Sequence, residues 1–195
     1  MLLAVAFAEC EVFGLEHLKP DASYVVVSNH ASYMDTPAVL SALPLEIRFF
    51  AKKSLFSIPF LGWHLQHSGH IPVARGDARA SLKSMMEAAN QIHERGISVL
   101  LFPEGGRTEK GLRPFLEGAA FIAIKAGIPV VPIGLVNTRG VLPMHSGLLR
   151  GGKIEVHIGE PIETTGMTPR DRGRLNQMLH DRVAELIGEP IEASA

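Results

Sequence analysis

Four short runs of apolar, largely β-branched residues, spaced along the chain by stretches of other character, constrain the fold more than any other feature. They are Tyr24–Ser28 (YVVVS), Ile47–Ala51 (IRFFA), Ile97–Phe102 (ISVLLF) and Val130–Val136 (VVPIGLV). Runs without polar alternation suit strands buried on both faces, as in a parallel sheet covered by helices. Lys153–Ile158 (KIEVHI) alternates instead and is expected near a sheet edge or on a half-exposed face. Pro132 lacks a ladder donor and is expected to mark an edge or a break in the pairing.

Helical patterns fall between these runs. Asp77 is a suitable N-cap for a helix with Ala78, Leu82, Met85, Met86, Ala89 and Ile92 on one stripe, ended by Gly96. Phe115 to Val136 reads as a helix followed by a buried strand. A last helix, 168–187, starts at Thr168 with Pro169 in its first turn and Asp171 three residues after the cap. Its stripe is Leu175, Met178, Leu179, Val183, Leu186 and Ile187, and Gly188 stops it. Strands alternating with helices imply an α/β fold. The expectation is a single layered domain over 1–195 with a mixed, largely parallel central sheet flanked by helices.

Composition removes several classes. With 195 residues, 46% of them hydrophobic, and a net charge of -1, the chain can bury a core and is not disordered. It has no basic excess for nucleic-acid binding by bulk electrostatics. Cys10 is the lone cysteine, which excludes an intrachain disulfide framework and a multi-Cys zinc site. His64, His67 and His70 are spaced by three, but no neighbouring carboxylate or thiol completes a ligand set, so no metal is expected. The opening Met1–Ala8 is apolar but far short of the ~20 residues of a membrane span. It also lacks the basic lead of a signal peptide, and is expected to be an anchor stump or a packing strand. Leu55–Trp63 (LFSIPFLGW), preceded by Lys52 and Lys53, is expected to be mostly core, with a minor part exposed as an acyl-chain groove or interfacial contact.

Two strand ends carry the candidate chemistry. After Tyr24–Ser28 come Asn29 and His30, with Asp35 five residues beyond His30 and Pro37 suited to a helix's first turn. Ligands of open α/β sheets bind beyond the carboxyl ends of the strands. A tight turn would let Asp35 hold one nitrogen of His30 protonated, leaving the other to accept a proton from a substrate hydroxyl. The plainer alternative is that His30 caps a turn and Asp35 a helix. After Ile97–Phe102 come Pro103, Glu104, Gly105, Gly106 and Arg107. Paired glycines admit a ligand close to the backbone, and Arg107 can meet a phosphate through a bidentate fork. Glu104 would anchor Arg107, the turn or a sugar-like hydroxyl; a surface turn with a salt bridge is the alternative. Arg75 precedes Asp77 at a helix N-terminus, where anions are favoured; a solvated turn arginine is the plainer alternative.

In this order the pieces resemble the glycerolipid acyltransferase family, in particular the 1-acylglycerol-3-phosphate acyltransferases. The resemblance covers about 12–160. Asn29-His30 through Asp35 is similar to the family's Asn-His-x4-Asp block, and Gly69 through Arg75 to its second block. Pro103 through Thr108 resembles Pro-Glu-Gly-Thr-Arg-Ser, and Val131-Pro132-Ile133 its Val-Pro-Ile block. Lys52 to Gly62 is family-like as well.

The resemblance implies that His30 is the general base on a lysophospholipid hydroxyl, with Asp35 orienting it. The hydroxyl would attack the thioester of an acyl-CoA or acyl-carrier protein, the co-substrate, with no further cofactor and no protein nucleophile. Arg75, Glu104, Gly105, Gly106 and Arg107 would form the acceptor-phosphate site. A peripheral position on the cytoplasmic side of a membrane, without a transmembrane span, is also implied. Two departures stand out: Gly106 replaces a threonine, and the long apolar N-terminal segment of many members is lacking. Another lysophospholipid or an amino-acid lipid as acceptor, a non-catalytic lipid- or anion-binding domain, and a hydrolase are the competing readings. The absence of Gly-x-Ser-x-Gly argues against a serine esterase.

Overall fold

The computed structural model describes residues 8–73, 78–144, 146 and 148–189. Its strands are β1 (Ala8–Phe13), β2 (Val25–Ser28), β3 (Ile47–Lys52), β4 (Ile71–Val73), β5 (Ser98–Leu101), β6 (Val130–Val136) and β7 (Gly152–Ile158). They form one sheet in the order β1-β7-β6-β2-β5-β3-β4. Strands β6, β2, β5, β3 and β4 run parallel, while β7 pairs antiparallel with β6 and parallel with β1. The helices are α1 (Asp35–Ala42), α2 (Leu61–His67), α3 (Ala78–Arg95), α4 (Gly118–Ala126), α5 (Thr138–Val141) and α6 (Arg172–Ile187). The expected α/β layering, with a mixed and mostly parallel sheet, is what the chain adopts.

The uninterrupted valines of β2 are explained by cover on both faces. Val26 packs with Met34, Ala38 and Val39 of the α1 region, whereas Val25 and Val27 pack with the faces of α3, α4 and α6. All three valines are fully buried. On α6, Leu175, Leu179 and Val183 carry the burial, as the stripe requires, and Met178 is partly exposed. That helix starts as a 3-10 turn, Pro169–Asp171, closed by a reciprocal Thr168–Asp171 capping box. Gly188 ends it at φ 72°, a left-handed position where glycine avoids a Cβ penalty. On α3, Ala89 and Ile92 are buried but Leu82 and Met86 are exposed. The proposed cap Asp77 lies outside the described residues, as do Met1–Phe7.

Pro132 takes one of its two expected placements, two strands are additions, and one expectation needs correction. Pro132 stands in an interior strand, not at an edge, opposite Val27 of β2. Its backbone faces the other side, where Pro132 O accepts from Gly159 N and the β7 ladder begins only at Ile133. The missing donor therefore falls at a break between ladders. Strands β1 and β4 are additional to the runs visible in the sequence. Finally, Leu55–Trp63 is not core: Ile58, Phe60, Leu61 and Trp63 are all exposed.

Candidate active site

Register brings the two chemical motifs together. Strands β2 and β5 are neighbours with Val27 opposite Leu101, so His30 and Glu104 each lie three residues past that pair. Asn29 extends the sheet with its side chain: Nδ2 donates to Leu135 O at 2.9 Å, and Leu135 N donates to Oδ1 at 2.8 Å. This fixes the chain just before His30. The His30 ring stacks on Phe102, with centroids 4.0 Å apart and planes 14° apart.

Asp35 begins α1 but does not cap it. One oxygen, Oδ2, accepts from His30 Nδ1 at 2.7 Å, from Ala31 N at 2.7 Å and from Ser32 N at 2.8 Å. The residue is wholly buried, and Oδ1 has no hydrogen-bond partner. A carboxylate collecting three donors holds Nδ1 as the protonated nitrogen, which leaves Nε2 with its lone pair. The base-and-orienter arrangement anticipated from the five-residue spacing is thus present as geometry. The reading of Asp35 as a helix cap falls away.

Glu104 serves the turn and not Arg107. Its Oε1 accepts the backbone N–H of His30 at 2.6 Å, and its Oε2 accepts that of Arg113 at 3.1 Å. Burial pushes its carboxyl above the ordinary carboxylate value, an effect opposed by those two N–H groups. Gly105 follows at φ 73°, and Thr108 N donates to His30 O at 3.0 Å. Arg107 lies across the top: Nε donates to Ser32 O at 3.2 Å, and its guanidinium carbon sits 3.8 Å above the Tyr33 ring. The N–H groups of Gly106 and Arg107 engage no acceptor among the described residues. Arg75 lies outside the described residues.

A cavity of about 390 Å³ opens beside this cluster. His30, Gly105 and Gly106 form its polar end, and Phe50, Met85, Leu101, Phe102 and Leu116 are among its apolar walls. An imidazole held by a buried carboxylate, next to free backbone donors and a partly exposed arginine, can take a proton from a hydroxyl and steady an anion. The apolar walls suit a hydrocarbon chain. Two supports carry no signal in the sequence. Phe102 is one, and the other is Arg139, whose Nη1 and Nη2 donate to Glu109 O at 2.7 Å and Thr108 O at 2.8 Å. The three clustered histidines do not converge. His67 packs at a tilt against Trp63, His70 packs at a tilt against Phe49, and the His64 and His70 rings are 6.4 Å apart.

Residues 9–136 match the family described as Acyltransferase. The chain is 39% identical over 159 residues to a chloroplastic 1-acyl-sn-glycerol-3-phosphate acyltransferase of Brassica napus, covering 80% of this chain and 46% of that protein. It is 32% identical over 186 residues to the 1-acyl-sn-glycerol-3-phosphate acyltransferase of Pseudomonas aeruginosa, covering 95% and 71%. Among solved structures it resembles the 1-acyl-sn-glycerophosphate (LPA) acyltransferase PlsC of Thermotoga maritima. That match has a TM-score of 0.79 and 27% identity, over 94% of this chain and 74% of the other. The chain spans slightly less than half the length of the chloroplastic relatives of Brassica napus and Arabidopsis thaliana.

Proposed function

The chain belongs to the acyltransferase family, and we propose that it moves a fatty acyl group from a thioester to the free hydroxyl of 1-acylglycerol-3-phosphate, giving phosphatidic acid. The observation that carries this reading is the His30–Asp35 pair, 2.7 Å apart, set in the wall of an apolar cavity beside a free-donor turn. The donor is an acyl-CoA or an acyl-carrier protein, its chain lying along Phe50, Met85 and Leu101.

The acceptor hydroxyl gives its proton to His30 Nε2 as its oxygen bonds to the thioester carbonyl carbon. Asp35 stabilises the imidazolium that forms. The C–S bond then breaks, and the leaving thiolate takes the proton back from His30. General-base help of this kind is typically worth ~10²–10⁴-fold, and holding both substrates in line adds to it. The free N–H groups of Gly106 and Arg107 are donors available to the anionic oxygen or the acceptor phosphate. Arg107 meets that phosphate with its Nη1 and Nη2 groups, since Nε is engaged by Ser32.

The test is incubation of purified protein with lysophosphatidate and a panel of acyl-CoAs and acyl-carrier proteins, following thiol release and lipid product together. Phosphatidic acid that disappears with His30→Ala is the expected result. Thiol release without lipid product indicates hydrolysis and overturns the reading. Product from other lysophospholipids but not from lysophosphatidate overturns the acceptor.

A further inference from the structure

The apolar segment after β3 is held outward by strained backbone. Phe60 has φ 62° and ψ -50°, and Leu61 N donates to Pro59 O at 2.7 Å across it. This is a γ-turn of the positive-φ kind, rare and strained, with a bulky aromatic at its centre. The turn leaves the Phe60 ring 89% exposed, with Trp63 64% exposed beside it and Ile58 and Leu61 also out in solvent. The base beneath them is firm. Gly62 N donates to Ile58 O at 2.7 Å, Leu65 is buried, and a Cβ on Gly62 would collide with Phe56 O. Strain is therefore retained where it presents apolar side chains to solvent.

The sequence around that projection carries charge of one sign. From Ile47 to Gly76 the sequence holds Arg48, Lys52, Lys53 and Arg75 but no Asp or Glu, in a chain of formal net charge -1, and of these Arg48 is paired with Glu46. Lys52 and Lys53 are exposed and in no ion pair among the described residues. Position completes the picture. β3 runs parallel to β5, so Lys52 leaves the sheet at the end where His30 and Glu104 lie, and Phe50 of β3 lines the cavity.

We infer that the segment Lys52–Trp63 docks this protein onto an anionic lipid bilayer, with Phe60 and Trp63 entering the interface and Lys52 and Lys53 meeting the headgroups. Exposed aromatic and aliphatic side chains beside lysines are the chemistry of an interfacial anchor. Docking there sets the strand ends that carry His30 and Glu104 toward the membrane that supplies a lysophospholipid. The inference rests on the acyltransferase reading for its lipid partner.

Trp63 is the only tryptophan, so the unmodified chain reports its own docking. Mixed phosphatidylcholine and phosphatidylglycerol vesicles should shift its emission to the blue and shield it from an aqueous quencher. Phosphatidylcholine alone should do so more weakly, and salt should shrink the difference. Phe60→Gly removes the ring while relaxing the strained backbone, so a loss of vesicle binding in this variant does not come from unfolding. Lys52→Gln with Lys53→Gln should lower partitioning to the mixed vesicles roughly thirtyfold. Both variants should keep wild-type turnover on short-chain, water-soluble substrates and lose it on vesicle-borne lysophosphatidate. Vesicles that leave Trp63 unaltered, or that bind wild type and variants alike, overturn the proposal. So does a wild-type dimer that Phe60→Gly dissociates without any vesicle effect, since a second copy then covers the face. Vesicle docking without transfer to any acceptor sinks the acyltransferase reading and leaves the docking intact.

Discussion

The backbone N–H of His30 donates to Glu104 Oε1 at 2.6 Å, so a side chain at the tip of β5 holds the main chain at the tip of β2. The other oxygen of the same carboxylate holds Arg113 N, so one residue ties three segments of the cavity wall together. Hydrogen bonds to charged groups contribute ~1.5–3 kcal/mol each. Glu104→Ala removes two such bonds but also relieves the burial cost of a carboxylate, so it should lower unfolding stability by a net of about 1–3 kcal/mol and lower kcat more than it raises either KM. Urea denaturation beside steady-state kinetics measures both, and a pure KM effect would reassign Glu104 to substrate binding.

Asp35→Asn separates charge from architecture. The amide oxygen can take the place of Oδ2 and still accept from Ala31 N and Ser32 N, while the NH2 group occupies the site of Oδ1, which has no partner now. The fold should survive, with unchanged circular dichroism. The negative charge that favours the imidazolium is gone, so kcat should fall by ~10²–10⁴-fold. Turnover within a few-fold of wild type would remove Asp35 from the proton-transfer step.

Arg107→Ala should act on one substrate. Nε is committed to Ser32 O and the guanidinium rests on Tyr33, which fixes its position. Losing a charge-assisted contact worth ~1.5–3 kcal/mol should raise KM for lysophosphatidate roughly ten- to hundredfold. KM for the acyl thioester should hold, as should transfer to a phosphate-free monoacylglycerol if that acceptor reacts at all. Equal losses for both acceptors would take Arg107 out of the phosphate site.

The parts legible in the sequence are those set by local pattern. Val25, Val26 and Val27 read as a strand covered on both faces because no polar residue interrupts them, and His30 and Asp35 were within reach of each other through one short turn. What depends on register was not legible. Glu104 meets His30 only because β2 and β5 are neighbours, and Phe102 stacks on the imidazole for the same reason. Strand β4 is only three residues long and includes Pro72, too little for a periodic signal. The apolar Leu55–Trp63 misled because hydrophobicity records what a side chain is, and the strained turn at Phe60 decides where it points.

Gly105 and Gly106 look interchangeable in sequence and should not behave so. Gly105 sits at φ 73°, and a Cβ there would lie 3.1 Å from Leu116 Cδ1. Left-handed backbone costs an L-residue roughly 1–2 kcal/mol, so Gly105→Ala should lower stability by about that much. Gly106 is not at positive φ, and a Cβ there meets only Arg113 Nη1 at 3.9 Å. Gly106→Ala and Gly106→Thr should leave thermal stability within about 0.5 kcal/mol of wild type. Thermal melts of the three variants test the contrast, and a destabilised Gly106→Ala would refute it.

His70 makes the edge of the sheet sensitive to acid. Its Nδ1 accepts the N–H of Phe49 at 3.3 Å, and its ring lies 3.8 Å from that of Phe49, so the neutral imidazole belongs to the folded edge. Burial, with Arg48 and then His64 adding repulsion, lowers its pKa from 6.5 to about 4. The unfolded chain therefore takes up the proton first as pH falls. His70 contributes its stability above pH 6.5 and loses it progressively as pH drops toward about 4. Protonation also removes the acceptor for Phe49 N, one residue from Phe50 in the cavity wall. Urea denaturation across that window should show wild type losing more stability with acid than His70→Gln does. Parallel curves for the two proteins would mean that His70 is as free to protonate in the folded chain as in the unfolded one.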